Sequence, residues 1–143
     1  EVSNFGLPGR ASRHNRVYWA GAPYAALGPG AHGYDPPLRR WNLRGWDAYR
    51  QAVAQGRLPV EGEEVVSTED ADLERVWLGL RTTAGVPLAE ASEVQRELAA
   101  QWVRRGWARY EDTQRVVLSA DGWLLLDRLA VEFAAAAGAV AAH

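Results

Sequence analysis

The 143 residues are 48% hydrophobic and 24% charged, with a formal net charge of −2, the balance of a soluble globular chain. The absence of Cys excludes a disulfide, a thiolate-bound zinc or an iron–sulfur cluster held by these residues. No run approaches the ~18 uninterrupted apolar residues of a membrane span and no signal-peptide pattern opens the chain, so a cytoplasmic location is expected.

Charge is distributed unevenly. Residues 1–60 carry eight Arg against three acids, Glu1, Asp35 and Asp47, whereas residues 61–143 carry eight Arg against fifteen acids. Every basic side chain is Arg, and guanidinium binds carboxylate and phosphate groups bidentately, so the first part suits an anionic partner. The chain also lacks Met and opens on Glu1-Val2-Ser3, which reads as the middle of a strand and predicts a piece of a longer protein.

Residues 1–60 are punctuated by turn signals at Leu7-Pro8-Gly9, Ala22-Pro23, Gly28-Pro29-Gly30 and Asp35-Pro36-Pro37, with aromatic residues between them. Short strands are expected near Glu1–Asn4 and Ala25–Leu27, and a helix near Trp46–Gln55 ending at Gly56. So many rings with so little periodicity predict a segment that needs something else to pack against. From residue 61 the pattern is more regular. Thr68 can cap a helix with an acidic first turn, and Leu73, Val76, Trp77 and Leu80 form its apolar face until Gly85-Val86-Pro87. Ser92 caps a second helix, with Val94, Leu98 and Trp102 on one face and Gly106 past its end. Trp107–Tyr110 and Arg115–Leu118 read as a hairpin, and Ser119 starts a third helix burying Leu125, Leu129 and Phe133. This order gives an α+β fold: a winged-helix-like domain at 61–143, preceded by a loop-rich segment at 1–60.

Three His are candidates for chemistry. His143 is terminal. His14 lies in Arg13-His14-Asn15-Arg16-Val17-Tyr18-Trp19; in a helical turn it would share a face with Tyr18. His32 follows Gly28-Pro29-Gly30-Ala31, where Gly lets the backbone approach a ligand closely. For each, a hydrogen-bonded structural His in a tight loop is the alternative, since neither has carboxylate or thiol companions in sequence. Gly28-Pro29-Gly30 fits neither a Walker loop nor a dinucleotide fingerprint.

The combination is nevertheless specific. Glu1-Val2-Ser3-Asn4-Phe5, Pro8-Gly9 and Ser12-Arg13-His14-Asn15, then Tyr18-Trp19, resemble the segment carrying the H-N-x-x-Y-W signature of radical-SAM, oxygen-independent coproporphyrinogen III oxidase-like proteins of the heme-chaperone (HemW) type. Gly28, Gly30, Ala31 and His32 match a G-x-G-A-H element, and Arg39 or Arg40, Asn42 and Tyr49 match a later R-x-x-N…Y pattern. Glu63-Glu64, Leu78-Gly79-Leu80-Arg81, Gly85-Val86 and the run Leu118-Ser119-x-x-Gly122-x-x-Leu125-Leu126-Asp127 resemble the accessory domain of the same family.

The resemblance implies that residues 1–60 end a radical-SAM TIM-like barrel and that 61–143 form the HemN C-terminal-like domain. It further implies a [4Fe–4S] cluster and S-adenosylmethionine in the parent protein, held by an N-terminal barrel absent from this sequence. Heme is the implied ligand, with His14 as axial metal ligand and Asn15, Tyr18, Trp19, Gly28, Gly30 and His32 at the site. Arg10, Arg13 and Arg16 are expected, from charge alone, to meet porphyrin propionates. Delivery of heme to an acceptor protein is the leading expectation. Oxidative decarboxylation of a porphyrinogen is the second, and a winged-helix nucleic-acid or protein interaction module the third. The acidity of residues 61–143 argues against nucleic acid.

Overall fold

The computed structural model describes residues 7, 9–10, 12–112 and 114–138, so the expected strand at Glu1–Asn4 and His143 lie outside the described residues. The fold is α+β, with two separate three-stranded antiparallel sheets. Contacts divide the described residues into two compact units: Arg13–Asp70, and a second running from Ala71 onward that also includes Leu7, Gly9, Arg10 and Ser12.

The first unit holds α1 (Arg13–Trp19), β1 (His32–Asp35), β2 (Leu38–Asn42), α2 (Trp46–Ala54) and β3 (Val60–Val65). The strands are ordered β1-β2-β3, and Pro36-Pro37 closes the tight β1–β2 connection with a cis peptide. α2 matches the expected helix and stops at Gln55, followed by Gly56 at φ +69°. The expected strand at Ala25–Leu27 does not form. Instead Tyr24 makes a single antiparallel bridge to Tyr34, and the Ala26 and Gly28 carbonyls accept from the Asn42 side-chain amide, at 3.2 and 3.0 Å, rather than from a strand neighbour. Neither β1 nor β2 was expected, since Gly33 and the Arg39-Arg40 pair break the apolar alternation that marks a strand.

β3 resolves the charge asymmetry. Two of its carboxylates lie across from the basic strand β2, Glu64 pairing with Arg39 at 3.0 Å and Glu63 with Arg40 at 3.1 Å, and Glu61 pairs with Arg44 just past that strand at 3.8 Å. Opposite charges directly across an antiparallel pair favour that register. Only Gly33, Asn42, Ala52 and Val66 are buried among the described residues of this unit, so its core is thin.

The second unit is built on α3 (Thr68–Leu80), β4 (Val86–Pro87), α4 (Glu93–Arg104), β5 (Ala108–Asp112), β6 (Arg115–Leu118), α5 (Ala120–Trp123) and α6 (Leu126–Gly138). The cap of α3 is Ser67 rather than Thr68: its hydroxyl accepts from the Asp70 N–H at 3.0 Å, one residue earlier than the sequence suggests. Ser92 caps α4 as expected, in a full capping box with Gln95. The buried face of α4 is rotated from the expected one: Gln95, Ala99 and Trp102 point inward, whereas Val94 is 47% exposed. Ser119 starts only the four-residue α5. The Leu125 N–H bonds to the Gly122 carbonyl, and a separate α6 then buries Leu129 and Phe133.

Val86–Pro87 forms an unexpected strand just after Gly85, giving the sheet order β4-β6-β5. Gly85 sits at φ +66°, where a Cβ would overlap the Val116 carbonyl. The core gathers Leu80, Trp102, Val116, Leu129 and Phe133, with the Trp102 and Phe133 rings 5.6 Å apart. The Leu118-to-Asp127 motif is fold chemistry. Ser119 donates to the Gly106 carbonyl at 2.7 Å, Gly122 admits the Trp107 carbonyl, and Asp127 accepts the Trp77 indole N–H at 2.8 Å. No helix among the described residues is long and apolar enough to cross a membrane.

Candidate functional site

The segment Arg13–Trp19 forms a helix, so the conditional reading of His14 and Tyr18 applies: their ring centroids lie 4.8 Å apart, edge to face. Four-residue spacing also pairs Asn15 with Trp19, one residue further around. Burial separates the two pairs. His14 and Tyr18 are exposed, whereas Asn15 and Trp19 are half-buried. Trp19 makes no ring contact among the described residues, so the signature presents an outer His–Tyr pair and an inner Asn–Trp pair.

Arg13 and Arg16 flank His14 on α1, both exposed and neither paired among the described residues. Arg10 lies in a turn closed by its N–H to the Leu7 carbonyl at 2.8 Å, in the other unit.

The glycines of the G-x-G-A-H element serve the chain itself. Gly28 and Gly30 adopt φ +103° and +65°, and the Gly30 N–H bonds to the Leu43 carbonyl at 3.0 Å. The Gly28 N–H donates to the Tyr49 hydroxyl at 3.2 Å while its carbonyl takes the Asn42 amide. Asn42 and Tyr49, the last members of the R-x-x-N…Y pattern, therefore hold this loop in place. His32 opens β1, exposed, with its ring 6.1 Å from that of Trp41 directly across the ladder.

Residues two apart on a strand share a face, which puts Tyr34 beside His32, and Arg39 beside Trp41 on the neighbouring strand. The Arg39 guanidinium lies 5.6 Å from the Tyr34 ring centroid and bonds to Glu64 on its far side. At the opposite edge, Tyr24 and Tyr34 exchange backbone hydrogen bonds of 2.8 and 2.9 Å, and their rings lie 6.3 Å apart. Tyr24 in turn meets Tyr18 edge to face at 4.4 Å. The result is one row of rings, His14–Tyr18–Tyr24–Tyr34, ending on Arg39. Sequence reasoning missed Tyr24, Tyr34 and Arg39 as members of it, although Tyr34 directly follows the G-x-G-A-H-G run that it did single out.

Gly33 is what permits this row. A Cβ there would stand 2.9 Å from the Ala26 nitrogen and 3.3 Å from the Tyr24 carbonyl. The exposed His14 imidazole is backed by this aromatic row and flanked by the guanidiniums of Arg13 and Arg16, chemistry compatible with an iron porphyrin. Among the described residues no cluster of three or more His, Cys, Asp or Glu is placed to hold a metal ion.

The second unit has a depression of about 490 Å³ lined by Trp77, Arg81, Trp123, Leu124 and Asp127 among others. Arg81 stacks on Trp77 at 4.2 Å, and the buried Trp123 indole N–H has no partner among the described residues. None of the expected site residues lies there.

No family model matches the chain. It is 39% identical over 127 residues to the heme chaperone HemW of Mycobacterium tuberculosis (strain ATCC 25618 / H37Rv), covering 89% of this chain and 32% of that protein. It is 40% identical over 86 residues to the heme chaperone HemW of Bacillus subtilis (strain 168), covering 60% of this chain and 23% of that one. The chain thus spans about a third or less of the curated relatives it matches. Among solved structures it resembles the radical-SAM coproporphyrinogen III oxidase HemN of Escherichia coli, with a TM-score of 0.50 over 78% of this chain and 28% of that one. At 15% identity that likeness concerns the fold alone.

Proposed function

Because the chain is a HemW-type relative, matching the C-terminal part of radical-SAM, coproporphyrinogen-oxidase-like proteins, we propose that it binds heme and takes part in delivering it to an acceptor protein. The observation that carries this reading is the exposed His14–Tyr18 pair on a helix flanked by Arg13 and Arg16. Heme is the cargo in this reading. The His14 imidazole supplies a lone pair to the iron, as histidine does in many heme proteins. Tyr18 offers a ring against the macrocycle. Arg13 and Arg16 meet the propionates, where a planar guanidinium forms paired hydrogen bonds with a carboxylate. Asn15 and Trp19 anchor α1 from its inner side, and Gly28, Gly30 and His32 shape the neighbouring loop and strand edge.

The larger assignment follows the same reading. The part of the chain up to about residue 60 belongs with a radical-SAM barrel. The remainder is a winged-helix-like accessory domain, a reading supported by the order helix, strand, helix, hairpin and by the β4-β6-β5 sheet. A [4Fe–4S] cluster and S-adenosylmethionine would be held by residues outside these 143, which include no Cys to supply a thiolate. We place the protein in the cytoplasm. Titration of the full-length protein with hemin tests the core of the proposal. His14→Ala should remove the shifted Soret band and weaken binding about tenfold or more; an unchanged spectrum and affinity would sink the ligand assignment.

A further inference from the structure

We infer that the heme-contacting surface extends beyond the α1 signature along Tyr24 and Tyr34, two residues that no motif of the family resemblance includes. The inference rests on the heme-binding reading of His14 and deepens it. Three features of the row argue for a contact surface rather than ordinary packing.

First, the row is continuous. Its ring separations of 4.8, 4.4 and 6.3 Å lie within or close to the range of interacting aromatic pairs, and it starts at the candidate iron ligand. Second, it is not sealed. His14 and Tyr18 are exposed, and Tyr24 and Tyr34 are half-buried, in a unit with only four buried residues among those described. Third, it is held in position by backbone. Tyr24 and Tyr34 exchange two main-chain hydrogen bonds, and Gly33 leaves the space for that approach. Rings fixed by the main chain lose little freedom on binding, which favours recognition of a flat, apolar ligand. Arg39, paired with Glu64 and lying on Tyr34, closes the row with a group that favours a carboxylate-bearing edge of the ligand.

The test uses hemin and the full-length protein. Tyr24→Leu and Tyr34→Leu keep apolar volume and remove the ring. Each should weaken hemin binding about three- to tenfold, the size of one aromatic contact, while the Soret maximum set by His14 stays in place. Tyr24→Phe and Tyr34→Phe should stay within about twofold of the parent. Should a Leu variant fail to fold, tyrosine nitration of the unmodified protein gives an independent measurement. Bound hemin should protect Tyr18, Tyr24 and Tyr34 while Tyr110, exposed in the other unit, stays reactive. Loss of binding in His14→Ala with unchanged affinity in both Leu variants, or protection confined to Tyr18, would overturn the inference and leave the His14 reading standing. Weakened binding in the Leu variants with an unaltered His14→Ala protein would do the reverse.

Discussion

Gly33 has no side chain to contribute, yet the candidate site depends on it. Its position under the Ala26 nitrogen leaves no room for a methyl group. Gly33→Ala should push the 24–26 segment off β1, break the Tyr24–Tyr34 bridge and cost about 1–3 kcal/mol, the range for overpacking a tight site. Urea denaturation together with loss of the Tyr34 amide protection would show it. Gln95 is the corresponding residue of the second unit. It is 7% exposed, accepts the Ser92 N–H at 2.9 Å and donates to the Phe133 carbonyl at 2.9 Å, so it both caps α4 and ties it to α6. Gln95→Ala removes both hydrogen bonds and strips the Ser92 N–H of its side-chain acceptor, and a loss of about 1–3 kcal/mol is expected in the same assay. The Ser92 cap was legible in sequence because it is local. The bond to Phe133 was not, because 38 residues separate its ends.

Element geometry carries the next set of consequences. On α4, the Arg104 guanidinium hydrogen-bonds to Glu97 at 2.7 Å and holds that carboxyl below its ordinary value. A lowered carboxylate pKa means a contribution to stability present above the unfolded-state value and lost as pH falls through the folded one. Both side chains are exposed, so the effect on stability is small and screened by salt. It is best read directly: in an NMR titration Glu97 should turn over below an ordinary glutamate, and Arg104→Gln should bring it back up. Helix α1 shows how an element sorts a motif. The signature reads as one run in sequence, but a turn of 3.6 residues sends His14 and Tyr18 outward and Asn15 and Trp19 inward. Sequence spacing allowed this sorting but did not say which pair would face solvent.

Across the whole chain, charge is the property most altered by folding. Counted along the sequence, the first sixty residues carry a surplus of five positive charges. Counted over the compact unit Arg13–Asp70, seven Arg meet seven acids: β3 adds Glu61, Glu63 and Glu64, paired with Arg44, Arg40 and Arg39, and the start of α3 adds Glu69 and Asp70. A general basic field therefore does not account for the proposed propionate contacts, which fall instead to Arg13 and Arg16 on α1, both without a partner among the described residues. Arg13→Gln with Arg16→Gln should weaken hemin binding several-fold and flatten its salt dependence. Arg40→Gln with Arg44→Gln, which removes equal charge from the ion pairs with β3, should leave affinity within about twofold. Equal losses from both double variants would instead favour the field over the site.

By itself the sequence determined the α+β class, the helices at 46–55 and 92–105, the 107–118 hairpin and the His14-to-Trp19 signature. Each rests on neighbours a few residues apart, where hydrophobic period, cap chemistry and turn residues act directly. Tertiary structure alone decided the first sheet, the strand at Val86–Pro87, the structural duty of Asn42 and Tyr49, the cancellation of the Arg surplus and the ring row from His14 to Arg39. These depend on which strands pair and in what register, and strand pairing joins residues that no local pattern brings together.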